Sequence, residues 1–373
     1  MGELDKLIEI SHYYGENPDY VIAGGGNTSY KDQESIWIKA SGIPLAGINA
    51  NGFVSLSREK LARIETAVFS EDPKKREEEV KEQMTESILA PTYLRPSVET
   101  SLHNLIDYKY VVHTHPTLVN AIMCANDIEK EVSERFGDRI ILVEYTDPGY
   151  ILFKKLQGRI ASYIEQYGSV PQIIFLQNHG VFVGADTVDD IKELYEEINL
   201  KISSGKDLSM PSAETIPYQT ELTEAIRSYF ASRSWLTRSV IGELIRHFTI
   251  EKSSLELVSK PFSPDIIVYC KSKYLFLDHD IESDRVNGLI EQFKDRHGYY
   301  PKVILQEGEG LTVVEENDKS LQTVQDVFLD LMKISYLTQQ FGGPHFMTPE
   351  QIRFIDNWEV EHYRRKIAKE KLE

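Results

Sequence analysis

The stretch Lys109-Tyr110-Val111-Val112-His113-Thr114-His115-Pro116 decides how this chain is read. Its β-branched and aromatic residues favour a strand, and Pro116 stops it. Strand side chains alternate, so His113 and His115 emerge on one face, which is how a strand offers two nitrogens to one metal ion. Two imidazoles on one face cost desolvation unless something binds both; the competing reading is one core histidine and one exposed. A second strand-like segment, Leu176-Gln177-Asn178-His179-Gly180-Val181-Phe182-Val183, carries a third histidine. A three-histidine set leaves one coordination position open, and an open position points to chemistry rather than structure.

Immediately before the histidine strand, Ser97 to Tyr108 reads as a helix, with Glu99 near its start in Arg95-Pro96-Ser97-Val98-Glu99-Thr100-Ser101-Leu102-His103. A short connection lets that helix pack beside the strand. Glu99 is then a fourth ligand, a base displaced by substrate, or an ordinary acid favoured by the helix dipole. His103 lies one turn on from Glu99, as a hydrogen-bond partner of the site or a packing residue. Further upstream, Leu4, Leu7 and Ile8 follow helical spacing to Gly15, and Tyr20-Val21-Ile22-Ala23 reads as a short strand running into Gly24-Gly25-Gly26-Asn27-Thr28-Ser29. Ser35 to Ala40 and Gly52 to Leu56 also read as strands, the first ending in Lys39-Ala40-Ser41-Gly42. Both glycine loops combine backbone N–H groups with hydroxyls, as an anion requires, although a tight turn explains either one alone. No glycine fingerprint of a dinucleotide-binding unit follows a strand.

Downstream, helix and strand alternate, and Thr187 to Ser203 has the spacing of a covering helix. Ser203 to Ser212 is polar and reads as a linker, giving domains at 1–210 and 211–373. Beyond it, Pro301 to Leu305 with Gly310 to Val313 aligns without gaps on Pro171 to Phe175 with Gly180 to Val183. Glu309 then falls where His179 stands. The second half is either a diverged partial repeat lacking that ligand or a chance recurrence of strand, turn, strand, helix. Thr348-Pro349-Glu350-Gln351 marks the start of a C-terminal helix that ends in the basic run Arg364-Arg365-Lys366.

A formal charge of −18 argues against nucleic acid or an acidic membrane surface as partner. No apolar run reaches the ~20 residues of a bilayer span, and the N-terminal sequence lacks a signal-peptide profile, so a cytoplasmic location is expected. Cys124 and Cys270 are the only cysteines, too few for a disulfide framework or a cysteine-based zinc site.

Taken in order, the Gly-Gly-Asn-Thr-Ser loop, the Lys-Ala-Ser-Gly loop, Pro96 to Glu99 with Leu102-His103, His113 to Pro116, and Asn178-His179-Gly180 resemble the class II aldolase/adducin family. The wording of several segments is most similar to the aldolase part of bifunctional rhamnulose-1-phosphate aldolase/lactaldehyde dehydrogenases; the dehydrogenase part is expected to lie outside this sequence. The resemblance implies a three-layer αβα fold with a largely antiparallel central sheet, plus a C-terminal α/β region, in a homo-oligomer. It implies a divalent metal, usually Zn2+, on His113, His115 and His179, with Glu99 as catalytic acid/base. Phosphate would fall to Gly26, Asn27, Thr28, Ser41 and Gly42, and Tyr145 would serve as proton donor. The implied substrate is a small phosphorylated sugar, cleaved by aldol chemistry. Dehydration, epimerisation or decarboxylation on the same scaffold, and a non-catalytic adducin-like binding module, are the alternatives.

Overall fold

The structure is a computed structural model describing residues 2–357. It divides into two compact units, residues 2–123 with Asp127–Lys206, and 207–357 with Cys124–Asn126. Among the described residues, the first unit builds a seven-stranded sheet from β1 (Asn27–Lys31), β2 (Ser35–Lys39), β3 (Phe53–Ser57), β4 (Tyr110–Thr114), β5 (Ile141–Val143), β6 (Ile173–Leu176) and β7 (Gly180–Ala185). The order is β3-β2-β1-β4-β7-β6-β5, and only β5–β6 is parallel. The histidine strand is therefore central, and all five of its residues are buried.

Alternation along β4 assigns its two faces. Val111 joins a core with Leu61 and Ile64 of the helix Arg58–Thr66, Leu102 of Thr100–Leu105 and Leu156 of Tyr150–Tyr167. Residues of the other parity meet different helices: Tyr110 bonds to Glu3 of the helix Glu3–Gly15, and Thr114 lies 2.7 Å from the Tyr195 hydroxyl of Val188–Ser203. Helices thus cover both faces of the sheet in a three-layer αβα arrangement. His113 shares the parity of Val111 and faces the helix that Glu99 precedes.

The strand expected over Tyr20 to Ala23 does not form; those residues are turn and irregular backbone, and pairing begins at Asn27. Ala23 and Gly26 both have left-handed φ, 53° and 62°, which turns the chain before β1. The β-branched run was the misleading signal, because three glycines beside it make an extended ladder expensive.

The second unit has five strands among the described residues: β8 (Ile216–Pro217), β9 (Leu236–Ile241), β10 (Leu275–Leu277), β11 (Val303–Gln306) and β12 (Leu311–Glu315). Their order is β10-β11-β12-β9-β8, with only β10–β11 parallel, which is the pattern of β5-β6-β7-β4-β1. The agreement extends to single hydrogen bonds in the β6–β7 and β11–β12 hairpin loops. Gln177 N–H donates to Val143 O as Glu307 does to Leu277 O, and Asn178 N–H to Met123 O as Gly308 does to Thr249 O. Asn178 and Gly308 both have left-handed φ. The helix Pro349–Asn357 opens with the expected box: Thr348 Oγ1 accepts from the Gln351 N–H, and the Gln351 side chain accepts from the Thr348 N–H. The basic run at Arg364 to Lys366 lies outside the described residues. None of the described helices is long and apolar enough to cross a membrane.

Candidate active site

Three imidazoles converge at the C-terminal end of the central strand β4. His113 and His115 come from β4 and the residue after it, and His179 from the three-residue loop joining β6 to β7. Their ligand nitrogens lie within 4.8 Å of one another, with His113 Nε2 3.4 Å from His179 Nε2 and 3.0 Å from His115 Nε2. Nitrogens ~2.0–2.1 Å from a tetrahedral ion would lie about 3.3 Å apart, so the set fits a metal. The Nδ1 of His113 is 2.9 Å from the Val181 carbonyl oxygen. A carbonyl only accepts, so Nδ1 carries the proton and Nε2 presents its lone pair inward. Phe182 stacks on His113 at 4.1 Å between centroids and holds the ring plane.

Close backbone approach makes this convergence possible. A Cβ at Gly180 would run into the Thr114 carbonyl and the His115 ring. The expected Asn-His-Gly signal thus reflects sterics as well as ligation.

Glu99 occupies the N-cap position of the helix Thr100–Leu105 without a side-chain capping bond, and its side chain is buried. Oε1 lies 3.5 Å from His113 Nε2 and 3.8 Å from His179 Nε2, and among the described residues it accepts no hydrogen bond. Burial works to raise its pKa; the electrostatic influence of His113 and His179, the Asn27 hydrogen bond and His115 overcome it and hold the carboxyl at about 2. A carboxylate oxygen so enclosed, facing ligand nitrogens, suits a cation or the proton of a bound substrate.

The other oxygen, Oε2, accepts from Asn27 Nδ2 at 2.6 Å. Asn27 stands opposite His113 across the β1–β4 pair, so a ladder rung places the amide beside that candidate ligand. The Asn27 side chain is thereby committed to Glu99, and Thr28 faces the opposite side, its hydroxyl 2.6 Å from Ser11 Oγ. Of the expected phosphate donors, Ser41 and Gly42 share the turn after β2, where Ser41 N–H donates to Arg95 O and so ties that turn to the segment leading to Glu99. Lys39, which motif reading passed over, donates to Ile43 O at 2.8 Å and Gly24 O at 3.4 Å, placing an ammonium between the two glycine loops. The signal was its position in Lys-Ala-Ser-Gly at the end of a strand. Tyr145 follows β5; its N–H donates to Gln177 Oε1, and its phenol pKa is raised by burial and by Asp147.

The family described as Class II Aldolase and Adducin N-terminal domain matches residues 5–200. The uncharacterized oxidoreductase YuxG of Bacillus subtilis (strain 168) is 24% identical over 321 residues, 78% of this chain and 44% of that protein. The chain thus spans less than half the length of this curated relative. Similar solved structures include the N-terminal class II aldolase domain of a conserved Thermoplasma acidophilum protein, 24% identical over 54% of this chain and 92% of that one, at a TM-score of 0.46. An L-fuculose 1-phosphate aldolase is 18% identical over 57% and 93% of the two chains, at 0.37. Since the family match takes in more than half of the sequence and includes every residue of the three-histidine site and its carboxylate, the chain belongs to the class II aldolase and adducin family.

Proposed function

We propose that this chain is a metal-dependent aldehyde-lyase that cleaves a ketose 1-phosphate, such as rhamnulose or fuculose 1-phosphate, to dihydroxyacetone phosphate and an aldehyde. The observation that carries this reading is Glu99 Oε1, an enclosed carboxylate oxygen held 3.5 and 3.8 Å from two nitrogens of a three-histidine set. A divalent ion on His113, His115 and His179, zinc in the first instance, would supply positive charge to the substrate carbonyl and hydroxyl oxygens. Cleavage breaks the C3–C4 bond, leaves its electron pair on C3 and releases one proton from the C4 hydroxyl. The C4 hydroxyl proton would pass through a water to the ionised Glu99, which delivers it to C3, while the Tyr145 hydroxyl or a second water serves the aldehyde oxygen as it forms. Ser41, Gly42 and Gly26 hold the phosphate near the Lys39 ammonium; Asn27 and Thr28 contribute by position in the loop, their side chains being engaged elsewhere. With a divalent ion to polarise the carbonyl, no Schiff-base lysine is required.

The second unit is, on this reading, a diverged copy without chemistry of its own. Pairing of Ser239 with Thr312 and of His113 with Phe182 places Ser239 at the His113 position, Ile241 at that of His115 and Glu309 at that of His179. Homo-oligomers and a cytoplasmic location are the family expectations, and light scattering would test the first.

The test is a retro-aldol screen over ketose 1-phosphates with zinc-loaded protein, metal being measured on the same sample. One divalent ion per chain is expected. His179→Ala should lose both metal and turnover, and Glu99→Gln should keep the metal while turnover falls by about 100-fold or more. Metal-replete protein that cleaves none of these sugars overturns the reading.

A further inference from the structure

We infer that His103 is a positioning residue that, acting through Asn27, anchors one oxygen of Glu99 and leaves the other to carry the proton. The inference deepens the lyase reading and rests on it for its kinetic part only. His103 lies on the helix Thr100–Leu105 and is fully buried, one turn after Glu99. Its Nε2 bonds to Asn27 Oδ1, and its Nδ1 lies 2.7 Å from Ser29 Oγ.

Donor counting fixes every proton in this chain. Glu99 is a carboxylate and only accepts, so the Asn27 atom facing it is the amide nitrogen. The reversed amide would set two acceptors against each other. Asn27 therefore turns its carbonyl oxygen to His103, and that oxygen requires a donor, so Nε2 carries the ring proton. Nδ1 is then the acceptor for the Ser29 hydroxyl. A neutral ring satisfies both contacts, and burial, helped by the Lys31 ammonium, opposes a second proton against the pull of Glu99. Lys31 Nζ donates to the His103 carbonyl at 2.8 Å and fixes the backbone from which the ring projects.

The consequence is a division of labour inside one carboxylate. Oε2 is held by a buried chain running Ser29, His103, Asn27, with no route to solvent through an exposed member. Among the described residues Oε1 accepts no hydrogen bond, and it faces His113 and His179. Without the chain the carboxylate is free to rotate, and the proton-carrying oxygen loses its fixed place relative to C3.

Two readouts test this. In zinc-loaded protein with 15N-labelled histidine, the His103 ring, assigned by its disappearance in His103→Phe, should show the neutral form protonated at Nε2. A ring protonated at Nδ1, or a cation, overturns the inference. In kinetics, His103→Phe should retain one metal per chain and a KM within about threefold while kcat falls ~10–100-fold, and His103→Gln, whose amide N–H can reach Asn27, should recover most of it. Unchanged kcat in His103→Phe, or no recovery in His103→Gln, overturns it. Should His103→Phe fail to fold, Ser29→Ala replaces it, with a smaller kcat loss at constant KM expected and an unchanged kcat counting against. If no ketose 1-phosphate is cleaved by the wild type, the lyase reading has failed, and the ring tautomer still decides the hydrogen-bond chain.

Discussion

Lys31 is buried in the first unit's sheet with its ammonium spent on the His103 carbonyl, and that burial has a price readable in pH. Desolvation is the leading cause, and Arg58 adds to it, so that its pKa drops from 10.5 to about 7. Between pH 7 and 10.5 the unfolded chain binds a proton at this position that the folded chain does not. Stability therefore rises with pH across that window, by up to ~1.4 kcal/mol per unit from this group, and the penalty is constant below pH 7. Lys31→Met should remove the slope: thermal unfolding from pH 6.5 to 10 should show variant and wild type diverging toward neutral pH in the variant's favour. A parallel pH dependence would refute it. At this scale, much of the site was legible. His113 and His115 are two apart at the end of a strand, and Glu99 opens the preceding helix, both local patterns. The Asn27–Glu99 bond was not legible, because nothing in a glycine loop says which residue 72 positions away will meet its amide.

The β1–β4 pairing shows what an element adds. Gly26 has φ of 62°, and a Cβ there would come within 2.8 Å of the His113 carbonyl oxygen. Gly26→Ala carries both left-handed strain of about 1–2 kcal/mol and a push on the strand holding two proposed ligands. Gly47 has φ of 70° with nothing near its Cβ, so Gly47→Ala isolates the strain. Denaturant titration should show both variants destabilised, Gly26→Ala more, and only Gly26→Ala should lose metal affinity, by roughly tenfold as for loss of a supporting contact. Equal metal affinities would mean that β4 does not feel the clash. The strands with clear alternation, β2, β3, β4 and the β6–β7 hairpin, could be read from their residues. The stretch from Tyr20 to Ala23 could not, since its β-branched residues were outvoted by the glycines that follow, a contest settled by backbone conformation rather than side-chain type.

At the scale of the molecule, two sheets share one pattern of strand connections while one three-histidine cluster is found among the described residues. Metal should therefore stabilise unequally. Chelation should lower protection of amides in β4 and the β6–β7 loop in hydrogen exchange while leaving β9 and β11–β12 unchanged, by the linkage between a bound ion and the state that binds it. Loss of protection in both units alike would contradict a single metal-holding copy. The recurrence of strand, turn, strand and helix was visible as an ungapped match over a few residues, but the shared parallel edge pair was not, because pairing partners are written nowhere in a linear pattern. The rung joining Asn27 to His113, with Glu99 and His179 brought in from later segments, also sets an order of events during folding. None of these groups meets until chain ends far apart in sequence have closed into one ladder, and closing such long loops is slow. The ion would then be captured only by molecules whose sheet is already registered, making metal uptake a late clock for refolding and β-hairpin formation an early one.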